Sequence, residues 1–121
     1  MNPDLDPWRE FICQVAAGHP GIGPLAESMK WGEPSFTPQA RRVGSSVRLA
    51  AREGGRVAFL FICHTGLVEA FRGMYPGLSY ERNRAVVIDA RLPPPEALSH
   101  CVLMALTYFL RQRGAVPLDF A

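Results

Sequence analysis

The sequence predicts a single α+β domain, in which an antiparallel sheet of about five strands is packed by N-terminal helices and by a long C-terminal helix. Near both ends of the chain, apolar residues recur at spacings of three and four, which is typical of amphipathic helices. Between those ends, apolar residues alternate with polar ones, and this two-residue period indicates strands. A length of 121 residues fits one domain.

The first third of the chain is predicted to hold two helices and one extended segment. A helix is expected over residues 6–17, where large apolar residues fall on one side. A second, short helix is expected over residues 24–30 and ends at the glycine that follows Trp31. Residues 33–38 begin and end near prolines, which cannot donate to a ladder, so they are expected to form an edge strand or an irregular segment.

The middle of the chain is predicted to form a hairpin followed by a helix. Residues 44–52 alternate between apolar and polar, and a turn at residues 53–55 leads into residues 56–62. Residues 56–62 are apolar on both faces, which favours a central strand. Thr65 can then cap a helix that runs to Met74.

The last part of the chain is predicted to hold two short strands and the long helix, which gives the order ααβββαββα. Residues 78–81 and 85–89 are joined by a tight turn, and the helix spans residues 95–113. This helix is apolar over a wider arc than one sheet face requires. Its second partner is either the N-terminal helices or another copy of the chain, so a homodimer through Leu103 or Met104 is one of two alternatives.

Composition and charge narrow the function classes. A formal net charge of +2 gives no strong attraction to nucleic acid or to acidic membranes. The odd number of cysteines (Cys13, Cys63 and Cys101) matches no disulfide framework and indicates a reducing compartment. The longest apolar stretch is too short for a membrane span, and the N-terminus does not resemble a signal peptide. We therefore expect a cytoplasmic protein, and no cofactor motif is present.

Two neighbouring Cys/His pairs are the candidate metal ligands, and one of the cysteines is a candidate nucleophile. Adjacent residues point in different directions, so Cys63-His64 and His100-Cys101 can each offer one ligand at most. Cys63 precedes a predicted helix N-terminus, but it needs His64 or His100 as a base. The sequence assigns no catalytic residue, and a non-enzymatic role is favoured.

The loop around Trp31 is the candidate ligand site. It places a cation and a carboxylate beside a large aromatic and a glycine, so it can line a pocket; alternatively, Trp31 packs in the core and its charged neighbours are solvated. A pocket for a small ligand or a metal ion is predicted from seven residues: Lys30, Trp31, Glu33, Cys63, Thr65, Arg82 and Asn83.

A basic stripe is also predicted on the open face of the sheet, from Arg48, Arg52, Arg56 and Arg84. Sheets that bind RNA combine such a stripe with exposed aromatic residues. The strand aromatics here, Phe59 and Phe61, are expected to be buried, so nucleic acid binding is not expected.

Several strings in a fixed order carry a family resemblance that covers nearly the whole chain: 29–36 (MKWGEPSF), 63–68 (CHTGLV), 71–72 (FR), 75–76 (YP), 83–85 (NRA) and 97–108. Together they resemble the YdhG-like family of small bacterial proteins, known as DUF1801. This resemblance implies an α+β domain similar to the frataxin type of fold. It also implies a frataxin-like iron-binding or metallochaperone role, for which the first helix offers Asp4, Asp6 and Glu10.

Overall fold

The structure is a computed structural model that describes residues 3–112. The helices are α1 (Asp6–Ala17), α2 (Leu67–Met74), α3 (Glu96–Leu106) and α4 (Tyr108–Gln112). The strands are β1 (Leu25–Lys30), β2 (Glu33–Pro38), β3 (Val47–Arg52), β4 (Arg56–Phe61), β5 (Ser79–Glu81) and β6 (Ala85–Asp89). They form one antiparallel sheet in the order β1-β2-β3-β4-β6-β5, so the predicted α+β class is confirmed.

The predicted central strand is confirmed as β4, which pairs with β3 on one side and β6 on the other. Alternation along β4 places Val57, Phe59 and Phe61 under the helices and directs Ala58 and Leu60 to the opposite face. All five side chains are buried. The strand therefore contributes to two separate apolar clusters, one on each face of the sheet.

The main core lies between the sheet and the helices. Phe59 meets the rings of Trp8 and Phe11 from α1 edge to face, with centroids 6.0 and 6.1 Å apart. Helix α3 packs against both α1 and the sheet, which explains its wide apolar arc. Met104 is 5% exposed, and Leu103 packs partly buried against this core. Much of the wide apolar arc of α3 is therefore covered within the same chain, and the homodimer stays a prediction.

The helix predicted over residues 24–30 is wrong, because this segment is strand β1. It pairs along its full length with β2, from Leu25 opposite Pro38 to Lys30 opposite Glu33. A six-residue helix is marginal on its own, whereas the turn at residues 31–32 closes a hairpin with a complete ladder. The sheet consequently has six strands instead of five, and a strand replaces the second helix of the predicted order.

Strand β2 is not an edge strand, although the prolines do limit its pairing. It lies between β1 and β3, and its register with β3 is confined to Ser35 and Phe36. These two residues stand between Pro34 and Pro38, so neither proline has to donate a hydrogen bond to β3. The edge position belongs to β1, which the prediction had assigned to a helix.

The other predicted elements are confirmed. Helix α1 spans the predicted residues, and β3 and β4 form the predicted hairpin. Helix α2 ends at Met74 as predicted, but its N-cap is Gly66 instead of Thr65, and a short 3-10 turn over Cys63–Thr65 precedes it. The Thr65 hydroxyl accepts a hydrogen bond from the N–H of Leu67 from outside the helix. Strands β5 and β6 pair as a short hairpin. Within residues 3–112, no helix combines the length and the apolar character that crossing a bilayer requires.

The long C-terminal helix is interrupted at Thr107, contrary to the prediction of one helix over residues 95–113. The N–H groups of Phe109 and Leu110 donate to the carbonyl of Val43, at 3.0 and 3.1 Å. These bonds replace the helical ones to the preceding turn, so α3 ends at Leu106 and α4 begins at Tyr108. The predicted end of the helix at Arg113 lies outside the described residues.

Gly44 allows the loop before β3 to approach the end of α3. A Cβ atom at this position would lie 1.9 Å from the carbonyl oxygen of Leu106, which is backbone and cannot move aside. Next to it, the N–H of Ser45 donates to the carbonyl of Ala105 at 2.7 Å. The absence of a side chain at Gly44 therefore sets the distance between this loop and the helix.

We expect Gly44→Ala to lower the free energy of unfolding by about 3 kcal/mol, since the added methyl group would overlap the α3 backbone. Urea denaturation followed by circular dichroism measures the change. Gly73→Ala in α2 is the matched control, because a Cβ atom there meets nothing within 4 Å. It should leave stability unchanged or raise it by about 0.5 kcal/mol. Equal stability of the two variants would show that the loop does not contact α3 in this way.

Candidate functional site

The face of the sheet opposite the helices, called the open face below, carries the candidate site. Among the residues that the structure describes, its apolar cluster consists of strand residues alone: Ala50, Ala58, Leu60, Ala85 and Val87. These side chains are mostly small, and each is at most 7% exposed. These residues are buried although no described helical residue belongs to the cluster. Other side chains must therefore cover them.

Two arginine–glutamate ion pairs lie on the open face above this cluster. The Nε and Nη2 atoms of Arg52 donate to the carboxylate of Glu81, at 3.0 to 3.3 Å. Nε of Arg48 lies 3.0 Å from Oε1 of Glu33, although this N–H is not directed at the oxygen as in a hydrogen bond. Arginine stems cover apolar surface well. The small residues beneath leave room for both pairs to lie across the strands.

The Arg52–Glu81 pair also sets the protonation of its carboxylate. The hydrogen bond from Arg52 holds the pKa of Glu81 below its ordinary value, and the charges of Arg56 and Arg84 act in the same direction. Desolvation by burial opposes this effect. The same hydrogen bond raises the pKa of Arg52, so the pair is ionised at neutral pH.

Two neighbouring grooves open on this face. The first, called the cationic groove below, has a volume of about 350 Å³ and is lined by Lys30, Ser35, Ser46, Arg48, Leu60, Phe61, Ile62, Cys63 and Arg84. The second, called the ion-pair groove, has a volume of about 440 Å³ and is lined by Glu33, Arg48, Arg52, Leu60, Glu81, Arg82 and Arg84. Arg48, Leu60 and Arg84 line both grooves, so the two are adjacent.

The cationic groove combines positive charge with an apolar floor. Leu60 is 7% exposed and forms part of that floor. Among the described residues, neither Lys30 nor Arg84 has a side-chain hydrogen bond or an ion pair. The Ser46 hydroxyl is hydrogen-bonded to Thr37. The arrangement can therefore neutralise an anion while its apolar part contacts the floor.

Four of the seven predicted site residues line these grooves. Lys30 and Cys63 belong to the cationic groove, and Glu33 and Arg82 to the ion-pair groove. Trp31 stands on the turn between β1 and β2 and is 90% exposed, so the alternative in which it packs in the core is wrong.

Thr65 and Asn83, the remaining predicted site residues, hold their own loops. The Thr65 hydroxyl donates to the carbonyl of Ile62 at 2.6 Å. Asn83 Oδ1 accepts a hydrogen bond from Arg72, whose guanidinium also lies 5.1 Å from the centre of the Tyr80 ring. Both residues thus shape the ends of neighbouring elements, and neither lines the two grooves.

Arg48 and Arg84 were predicted for the open face but not for the pocket. The alternation of β3 places Arg48 on that face, opposite Ser35 of β2. Phe59 and Phe61 are buried on the other face, as predicted. Ser35 and Ser46 were not singled out at all, since serines on short strands have no distinctive pattern. The register of β2 with β3 brings them into the groove.

The Cys/His pairs do not assemble into a centre. His100 Nδ1 is hydrogen-bonded to the hydroxyl of Tyr75. His100 also lines a groove between α1 and α3, away from Cys63. Cys101 is fully buried, and burial raises its pKa to about 12. Within residues 3–112, no three His, Cys, Asp or Glu side chains lie close enough to hold a metal ion. On the first helix, Asp6 pairs with Arg9.

The pKa of Glu81 makes part of the stability pH-dependent. Because this pKa is lower in the folded protein than in the unfolded chain, the stabilisation is present at neutral pH and is lost as the pH falls through the folded value. At neutral pH we expect Glu81→Gln to lower the free energy of unfolding by about 0.5 kcal/mol, after allowance for solvent screening. The difference from the unmodified protein should shrink below about pH 4.

Urea denaturation at several pH values measures this difference. Glu53→Gln is the control, since Glu53 is exposed in the β3–β4 turn. The same pH dependence in both variants would contradict a specific contribution from the Arg52–Glu81 pair.

Comparison with solved structures finds this fold in a protein of the DUF1801 family, YdhG from Bacillus subtilis. The two structures match with a TM-score of 0.50, at 15% sequence identity, over 93% of this chain and 94% of that chain. No protein-family model matches the sequence, and no curated protein matches it either. A structural likeness at this identity establishes the fold alone. The resemblance seen in the sequence is thus confirmed at the level of fold: this chain has the α+β fold of a YdhG-like DUF1801 protein.

Proposed function

We propose that this protein is a non-enzymatic binding module that holds a small organic anion in the cationic groove. The observation that supports the proposal is the convergence of three basic side chains, Lys30, Arg48 and Arg84, around an apolar floor. Ligand sites in proteins typically combine such a floor with a few polar groups that fix the orientation of the ligand.

The charge of the open face favours an anionic ligand. Of the described residues, five basic side chains line the two grooves, but only two acidic ones, Glu33 and Glu81. Each of these acids is already paired with an arginine. The uncompensated positive charge therefore lies on the remaining bases: Lys30, Arg82 and Arg84. A carboxylate or phosphate bound there gains charge-assisted hydrogen bonds.

The shape of the cationic groove favours a small and partly apolar ligand. Its volume of about 350 Å³ is near the lower end of the range for small-molecule sites. Leu60 and Ile62 offer apolar contact, and Ile62 is 40% exposed. A ligand with a short apolar body and one anionic group fits both properties.

The thiol and iron hypotheses have less support. A thiol nucleophile needs a base within hydrogen-bond reach. His100, one of the two histidines considered for that role, is instead bonded to Tyr75. Iron binding needs clustered oxygen ligands. The acids of the N-terminal region are partly used by Arg9, which pairs with Asp6 and Glu27.

A cytoplasmic location is also part of the proposal. Cys13, Cys63 and Cys101 are all free thiols, and the first two are exposed. Exposed free thiols persist in reducing compartments.

NMR titration of the labelled protein with hexanoate tests the proposal, with the neutral amide hexanamide as the matched ligand control. We expect hexanoate to shift amide signals of residues that line the cationic groove, and hexanamide to leave them in place. Arg84→Met should weaken hexanoate binding about tenfold, because it removes a cation and keeps both ion pairs of the open face.

Arg91→Met is the control variant, since Arg91 is an exposed arginine that lines neither groove. It should bind hexanoate as the unmodified protein does. Equal binding of hexanoate and hexanamide, or an Arg84→Met variant with full affinity, would contradict the proposal.

A further inference from the structure

Trp31 occupies an unfavourable position for a tryptophan. The turn between β1 and β2 has two central residues, Trp31 and Gly32, with φ of 57° and 76°. A two-residue hairpin turn with both φ values positive favours asparagine or aspartate followed by glycine. A bulky residue in the left-handed region is strained. Gly32 meets this requirement and Trp31 does not.

The side chain of Trp31 gains little from its own chain in return. It is 90% exposed, so almost all of its apolar surface contacts water. Met29, nearby on β1, is 63% exposed. By contrast, Trp8 is 6% exposed and packs among aromatic rings of the core. Backbone strain together with a solvated indole indicates a contact that forms with a partner.

The turn that carries Trp31 lies beside the two grooves. Lys30, immediately before it, lines the cationic groove, and Glu33, two residues after it, lines the ion-pair groove. Trp31 itself lines neither groove, but its turn joins a residue of one groove to a residue of the other.

We propose that Trp31 stacks on a planar ring of the bound anion, so that the natural ligand is a small aromatic carboxylate or phosphate. This inference rests on the proposed function and specifies its ligand class. The bases hold the anionic group, and the indole covers the ring from the turn beside the grooves. Aromatic side chains contribute specific ring contacts beyond the burial of apolar area.

Charge favours a ligand of this kind over a second copy of the chain. A symmetric contact through the Trp31 turn would bring the same patch of each copy together. That patch carries Lys30, and Arg84 lies in the groove beside it; neither has an acidic partner among the described residues. Like charges across such an interface would repel.

Two carboxylates that differ only in the ring they carry test the inference. The ring of 3-phenylpropionate is planar and aromatic, whereas that of 3-cyclohexylpropionate is saturated and more apolar. Each is titrated into the full-length protein, followed by the indole N–H signals of Trp8 and Trp31. We expect 3-phenylpropionate to bind about fivefold tighter and to shift the Trp31 signal alone. Burial of apolar surface without stacking would instead favour the saturated acid.

Variants at Trp31 complete the test. Trp31→Ala should remove the preference for the aromatic acid, and Trp31→Phe should keep most of it. Both should fold normally, because the side chain is 90% exposed. Leu92→Ala is the control, since Leu92 is also an exposed apolar residue, at 60%, and lines neither groove.

The outcomes separate this inference from the proposed function. Equal binding of both acids, with affinity that depends on Arg84 but not on Trp31, would overturn the stacking contact and leave the anion site intact. No binding of either acid would overturn the proposed function, and the inference with it. Light scattering that shows a dimer lost in Trp31→Ala would assign Trp31 to a contact between copies and overturn the inference.

Discussion

The structure depends on one constraint: within residues 3–112, the helices cover only one face of a six-stranded sheet. On that face the strands place their large side chains, among them Phe59 and Phe61, against α1 and α3. The opposite cluster consists of strand residues alone, so it must be closed by other means. Small residues such as Ala58 and Ala85, together with arginine stems above them, meet that requirement. The Arg52–Glu81 pair is therefore part of the fold.

The same arrangement produces the candidate site. Ion pairs that lie flat over small residues leave depressions between them, and bases without acidic partners remain at the margins. Arg48 belongs to both features, because it pairs with Glu33 and lines the two grooves. A ligand anion would compete with Glu33 for this guanidinium. Binding and the closure of the open face are thus linked through one residue.

The parts of the fold that depend on local pattern could be predicted, and those that depend on pairing between distant segments could not. Residues 56–62 are apolar on both faces, and this pattern was enough to identify the central strand. Residues 25–30 contain good helix formers, and only the ladder with β2 makes them a strand. The break at Thr107 depends on the carbonyl of Val43, more than sixty residues earlier in the chain. For the site, Lys30 and Cys63 were found, whereas Ser35 required the sheet register.

The most direct test of an anion site on the open face uses the thiols of the chain. Cys63 lines the cationic groove, Cys13 is exposed on α1, and Cys101 is buried. Mass spectrometry can follow the alkylation of each by iodoacetamide, with and without saturating 3-phenylpropionate. A ligand in the groove predicts slower alkylation of Cys63 and an unchanged rate at Cys13. An unchanged rate at Cys63, or equal slowing of both thiols, would contradict a ligand site in this groove.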